Sequence, residues 1–298
     1  MNGTIPYLGE ILSFAVAIIW AFAVILFKKS GETVHPIALN LFKNLLAMVL
    51  FLPTMFIFNE ALIRQVPYSE YVLLILSGVI GIGIGDTLFF KSLNLIGAGL
   101  SAIVVCMYSP FIITLSVLWL GERLTLLQVA GALMIISAVL STICVKKRGK
   151  ISSRDLLWGI ICGVLATAAT AVGIVAIKPL LGRSPLLWVT EVRLFGGTLC
   201  LVLITLFHPL RRRIVSSLFT SSGWRYTISG SFLGAYLAMF IWLAGMKFTQ
   251  VSIASALNQT STIFVFLFAA ILLKEPITLR KIVAIILAVS GAFLVFLG

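Results

Sequence analysis

The chain is a succession of continuous apolar runs, each close to the length of about 20 residues that crosses a bilayer as a helix. By that rule roughly ten runs stand out, at about 8–28, 36–58, 71–91, 98–119, 126–145, 156–178, 187–208, 225–246, 252–273 and 279–298. They are rich in Leu, Ile and Ala and do not alternate with polar residues, so they read as helices rather than strands. A backbone in lipid must satisfy its own hydrogen bonds, which a helix does within one segment. The longest connection, at about 209–224, is too small to be a domain. The expected fold is an all-α integral membrane protein of ten transmembrane helices.

Composition excludes the soluble alternatives. Of 298 residues, 61% are hydrophobic and 10% charged, against about 45–50% and about 25% in a soluble domain. The mean hydropathy is +1.17. The net charge of +13 falls mainly between the apolar runs, so it reads as anchoring at the membrane surface and not as nucleic-acid binding. Cys106, Cys144, Cys162 and Cys200 all lie inside apolar runs with no C-x-x-C pair, so neither a disulfide, a metal site nor a cofactor is expected. The first run lacks a basic flank and a small-residue cleavage site and is read as a retained span.

The sequence echoes itself. Leu120-Gly121-Glu122-Arg123-Leu124-Thr125 returns 153 residues later as Leu273-Lys274-Glu275-Pro276-Ile277-Thr278. Lys28 returns as Lys178 and Lys43 as Arg193, each 150 residues on. These echoes divide the chain at 1–148 and 149–298, with five runs in each half. An odd number of spans inserts the second half in the opposite sense, the inverted repeat of secondary transporters.

Ionisable groups inside spans are costly and therefore candidates for function. Asp86 lies deep in the third run. It suits proton coupling or a substrate amine, or else a structural pair with Lys91 or a neighbouring helix. Lys43 and Arg193 each sit about two turns into a span. Inversion places them toward opposite membrane faces, as gates, as holders of an anionic group, or as snorkelling side chains. Ser255, Asn258, Gln259 and Thr262 form one helical stripe at i, i+3, i+4 and i+7, facing a cavity or gluing helices together. Subtracting 153 gives the facing stripe Ala102, Val105, Cys106 and Ser109. Pro110 kinks that helix and frees the carbonyl of Cys106, with Tyr108 beside it. Trp20, Tyr236 and Trp242 lie away from the interfaces and either stack on a substrate or pack. Trp158, Trp188 and Trp224 lie at run ends, as interfacial anchors. Gly159, Gly163 and Thr167, and again Gly230, Gly234 and Ala238, make stripes for close helix packing.

The ordered set Gly85-Asp86-Thr87-Leu88-Phe89-Phe90-Lys91, Gly97-Ala98-Gly99-Leu100-Ser101-Ala102, Pro110, Gly121-Glu122-Arg123-Leu124-Thr125 and Gly131 resembles the EamA family. This is the ten-helix branch of the drug/metabolite transporter superfamily. The resemblance implies a secondary transporter, often an exporter of amino acids or other small metabolites, with a central cavity between the halves. The second half departs from the pattern: Gln250-Val251-Ser252 replaces a small pair, and no proline matches Pro110.

Two signals bear on orientation. Most Lys and Arg fall in the odd connections, among them Lys28, Lys29, Arg211, Arg212, Arg213 and Lys281, which places those connections in the cytoplasm and both termini outside. The resemblance implies the reverse.

The expected function is alternating-access transport of a small polar or amphipathic metabolite across the cell membrane, open to proton coupling. A multidrug or nucleotide-sugar-type carrier of the same fold and a non-transporting scaffold are the alternatives. Catalysis is not expected. The chain has no G-x-S-x-G or H-E-x-x-H, and its two histidines, His35 and His208, lie at run ends. The lipid bilayer and a small-molecule substrate are the expected partners, and no feature specifies an oligomer.

Overall fold

The computed structural model describes residues 7–120, 125–143, 152–248 and 257–297, and these form helices joined by turns. The helices are α1 (Leu8–Ser30), α2 (Pro36–Ile57), α3 (Tyr68–Gly78), α4 (Asp86–Val105), α5 (Tyr108–Leu120), α6 (Leu126–Ile143) and α7 (Ser153–Leu181). They continue as α8 (Leu186–Phe207), α9 (Arg211–Phe219), α10 (Trp224–Ser231), α11 (Ala238–Phe248), α12 (Ser261–Leu272) and α13 (Leu279–Leu297). Two π-helical segments, Val79–Gly85 and Phe232–Leu237, link α3 to α4 and α10 to α11.

Among the described residues, six helical stretches are long and apolar enough to cross a membrane: Leu8–Ser30, Pro36–Ile57, Tyr68–Val105, Ser153–Leu181, Leu186–Phe207 and Trp224–Gly245. Tyr108–Trp119, Leu126–Ser141 and Leu257–Leu272 are shorter apolar helices. Start signals match the chemistry of their ends. His35 caps α2 through its side chain ahead of Pro36, and the Ser152 hydroxyl accepts from the Asp155 N–H at the start of α7.

Three boundaries differ from those the apolar runs predict. The third and fourth runs are one helical stretch, bent at Gly97, whose φ of 81° lies where only glycine sits without strain. The fourth run then breaks at Cys106–Met107, and the ninth breaks at Thr260 without a proline. The connection at about 209–224 holds the short helix α9. Hydropathy reports burial or lipid contact and is blind to a one-residue change of backbone; of the three, the break at Cys106–Met107 alone is signalled, by Pro110.

Certain boundaries recur at fixed intervals. α2 and α8 are both 22 residues long and start 150 residues apart. The π-helical segments start 153 residues apart, as do α5 and α12, and α6 and α13.

Three apolar clusters hold the bundle together. One joins α4 and α7 to α6 and α13 around Ile103, Ile135 and Ala288. A second joins α1, α2, α4 and α12 around Phe27, Leu39 and Phe90. The third joins α2, α3, α8 and the second π-helical segment around Phe51, Leu74 and Trp188. At Gly78 a Cβ would collide with the carbonyl of Arg193, so glycine is what lets α3 and α8 meet backbone to backbone. Gly159 and Gly163 seat α7 against Ile96 and Val104, and Gly230 and Gly234 lie against Phe27. Trp188, expected as an interfacial anchor, packs inside the protein instead of facing lipid. It is fully buried, its indole N–H donates to Leu62 O at 3.1 Å, and Tyr71 meets its ring edge-on. The connection 58–67 folds back over it through Glu60, Leu62 and Arg64.

The two ends of the bundle differ in charge. At one end Lys28 donates to Asn94 O, Lys29 and Arg225 lie over Tyr226, and Lys281 lies 3.9 Å from Glu275. At the other, Arg183 pairs with Glu70 at 2.8 Å and Glu60 accepts from the Trp188 N–H.

Candidate functional site

The polar centre is built on the first π-helical segment. A π turn widens the helix and misaligns its carbonyls from the usual donors. Asn40 of α2 answers this. Its Nδ2 donates to Ile82 O at 2.8 Å, to Gly83 O at 3.3 Å and to Thr87 Oγ1 at 3.0 Å. Thr87 Oγ1 in turn donates to Gly83 O at 2.7 Å. One helical turn along, Asn44 Nδ2 donates to Asn40 Oδ1 at 3.1 Å and orients that amide.

Asp86 is the first residue after the π-helical segment, and Lys43 lies three residues beyond Asn40 on the same face of α2. Lys43 Nζ donates to Asp86 Oδ2 at 2.6 Å. The lysine is buried, whereas the aspartate side chain keeps 31% exposure, so one face of the pair remains open. The lysine also lies 5.8 Å from the Phe90 ring centroid. The partner of Asp86 is thus a neighbouring helix and not Lys91, which is exposed.

Arg193 lies across from this pair on α8. Its Nε donates to Ser77 Oγ at 3.0 Å, and Ser77 Oγ donates to Gly173 O at 2.6 Å. Its guanidinium feels the fields of Tyr108 and then of Asp86. Lys43 is buried and Arg193 is bonded to a neighbouring helix, so both side chains engage protein partners. Both reach the first π-helical segment: Lys43 pairs with Asp86 at its end, and Arg193 bonds to Ser77 just before it and lies beside Gly81 within it. An anion paired with one cation and within the field of a second offers charge of both signs to a ligand that carries both.

The two broken helices meet beside Tyr108. Gln259 Nε2 donates to Ser109 Oγ at 3.0 Å, and the Cys106 thiol lies 3.8 Å from Thr262 Oγ1. Asn258 is half-buried next to Gln259, and Ser255 lies outside the described residues, as do Cys144, Glu122 and Gln250-Val251-Ser252. The carbonyl of Cys106 is not free. The break at Met107 lets the Ser109 N–H reach it at 3.2 Å, so the loss caused by Pro110 is repaired locally.

The aromatic candidates pack in the apolar clusters. Trp20 packs against the cluster around Phe27. Tyr236 donates to or accepts from Thr54 Oγ1 at 2.8 Å and meets Phe51 edge-on, and Trp242 packs in the same cluster.

Sequence reasoning passed over Asn40 and Asn44, gave Glu191 no role beyond excluding a pair with Arg193, and noted Glu275 only as an echo of Glu122. The first two follow the i, i+3, i+4 rule with Lys43 and were detectable by the same stripe count that found Asn258. Glu191 is buried, and its Oε2 lacks a hydrogen-bond partner among the described residues, as does Asn44 Oδ1. Such groups cost about 1–3 kcal/mol each and are kept where they serve something. Glu275 accepts from the Ala98 N–H at 2.7 Å and the Gly99 N–H at 3.1 Å, just past the bend at Gly97. No cluster of His, Cys, Asp and Glu able to hold a metal ion occurs among the described residues.

Comparison with known proteins accords with a transporter. Two relatives from Archaeoglobus fulgidus (strain ATCC 49558), each described as an uncharacterized transporter, are similar over nearly their whole length. One is 26% identical over 299 residues, covering 96% of this chain and 97% of its own. The other is 25% identical over 284 residues, covering 94% and 92%. A solved crystal structure superposes with a TM-score of 0.69 at 20% identity over 96% of this chain and 95% of that one, which shows a shared fold. The profile of the EamA-like transporter family matches twice, at residues 7–144 and 157–297. This double match, with the apolar helices around a charged centre, places the chain in the EamA-like transporter family of multi-pass membrane proteins, as a transporter and not an enzyme.

Proposed function

We propose that the protein moves a small zwitterionic or otherwise polar metabolite, an amino acid or a compound like it, by alternating access between two inverted five-helix repeats. The repeats are residues 1–148 and 149–298, ten spans in all. The recurrence of the π-helical segments, of α2 and α8, and of the helix breaks at Met107 and Thr260 supports this reading. So does the twofold family match.

The observation that carries it is the Lys43–Asp86 pair with Arg193 opposite. In this reading Asp86 receives a substrate amine, while Arg193 and Lys43 take its carboxylate. Gln259, Asn258 and Ser109 supply the neutral donors and acceptors that fix orientation. Asp86 also serves proton coupling, since substrate or proton displaces Lys43 from it. The cell membrane is the proposed location and export the proposed direction.

Reconstitution of the purified protein in liposomes with a mixed panel of labelled metabolites, with and without a pH gradient, tests the reading. Uptake or counterflow of an amino-acid-like solute, lost in Asp86→Asn, is expected. Full transport in Asp86→Asn, or no transport of any zwitterion, would overturn it.

A further inference from the structure

We propose that the junction of α8 and α9 is a binding site for one anionic phospholipid.

α9 is fixed to the bundle by one face only. Ile214 is 1% exposed, Leu218 packs on the cluster around Phe27, and Ser217 Oγ accepts from the His35 N–H at 3.1 Å. Those three residues follow the i, i+3, i+4 pattern of a docked stripe. The remaining faces carry Arg211 with Val215, and Arg212 with Ser216 and Phe219. They line a groove of about 470 Å³ against the C-terminal turn of α8 at Leu206.

The groove combines two chemistries. Its floor is apolar, with Leu206 54%, Val215 42% and Phe219 73% exposed. Its rim carries two guanidinium groups. Arg211 Nη1 donates to Leu206 O at 3.3 Å, which holds the side chain over the groove and leaves its other N–H groups unspent among the described residues. A free phosphate gains nothing from the apolar floor, and a neutral lipid gains less from the arginines. A phospholipid with a net negative headgroup uses both: phosphate on the arginines, acyl chain along Leu206, Val215 and Phe219. The groove also lies at the end of the bundle where Lys28, Lys29, Arg225 and Lys281 gather.

The corresponding connection of the first half lacks this helix. The first π-helical segment begins 22 residues after α2 ends, whereas the second begins 25 residues after α8 ends. The longer connection holds α9, and the shorter one, at 58–67, holds no helix.

The test is native mass spectrometry of the whole protein released from detergent after incubation with equimolar phosphatidylglycerol and phosphatidylcholine. One retained phosphatidylglycerol per chain is expected. The double variant Arg211→Gln, Arg212→Gln should lower that retention roughly tenfold. Arg213→Gln, a neighbouring charge that does not line the groove, should leave it unchanged. Should the double variant fail to fold, Val215→Asn on the floor should produce the same loss. Equal retention of the two lipids overturns the proposal. So does equal loss in Arg213→Gln, which would reduce the effect to general charge. Displacement of the lipid by millimolar inorganic phosphate would overturn it as well.

Discussion

Lys43 on α2 grips Asp86 across 2.6 Å, and Asp86 is the residue at which a π-helical segment returns to α-helix. The position of the carboxylate thus depends on the wide turn before it, and the charge on it is balanced by a different helix. A lone charge left in this setting lacks compensation, whereas removing both does not create one. Lys43→Met and Asp86→Asn should therefore each lower stability, by about 3 kcal/mol for the lysine that remains unpaired in Asp86→Asn. The double variant should recover most of that loss while staying inactive in transport. Thermal unfolding in detergent reads the stability. Additive losses in the double variant would show that the pair is not coupled.

Asn40 bears on the same geometry from the other side. Its amide serves two π-segment carbonyls and a threonine hydroxyl. Asn40→Leu leaves those acceptors buried and should cost about 1–3 kcal/mol. Amide hydrogen exchange should rise across Val79–Gly85 first. Uniform exchange across the chain, with no focus on that segment, would mean Asn40 acts as general packing.

Much of this architecture was legible in the residues, and the illegible part has a common cause. Apolar runs locate helices because lipid demands continuous hydrophobicity. Asp86 and the Gln259 stripe stood out because polar groups in such runs are rare. What the sequence concealed was pairing. Lys43 at two turns' depth reads equally well as a snorkelling side chain, until α2 is seen to cross the π-helical segment. Trp188 reads as an interfacial anchor until 58–67 covers it. The π-helical segments, the bend at Gly97 and the breaks at Met107 and Thr260 involve a change in one or two backbone angles, which hydropathy does not register.

Glu275 clamps the bend at Gly97. Its carboxylate takes the first free N–H groups after Gly97, where the helix dipole also favours a negative charge. A Cβ at Gly97 would lie 2.6 Å from Glu275 Oε1, in a backbone region that penalises every other residue. Gly97→Ala should cost about 1–3 kcal/mol. Glu275→Ala should loosen the same end without that strain, raising the labelling rate of a cysteine placed at Ala98. An unchanged labelling rate in Glu275→Ala would exclude a gating contact.

The contact between Gln259 and Ser109 spans the two broken helices. If it orients substrate, Asn258→Ala with Gln259→Ala should raise the half-saturating solute concentration about tenfold or more while the melting temperature moves little. If it is interhelical glue, the loss should appear as stability, about 0.6 kcal/mol per contact, with transport affinity intact. Measuring both quantities on one preparation separates the outcomes.

His35 sets a pH dependence that is independent of the transport site. It caps α2 with Nδ1, which accepts from the Ile37 N–H at 3.3 Å and does so only when that nitrogen is unprotonated. Burial foremost, and then the positive fields of His208, Arg213 and Lys91, hold its imidazole below the ordinary histidine value of 6.5. The unfolded chain therefore takes up the proton more readily than the folded one. Stability from this group is fully present above the unfolded value and falls as the pH drops below about 6.5, until the folded value is passed. The melting temperature should decline between about pH 7 and pH 5. His35→Asn keeps a capping acceptor without a titrating ring and should decline less over the same range. Parallel declines in the two proteins would assign the pH dependence to other groups.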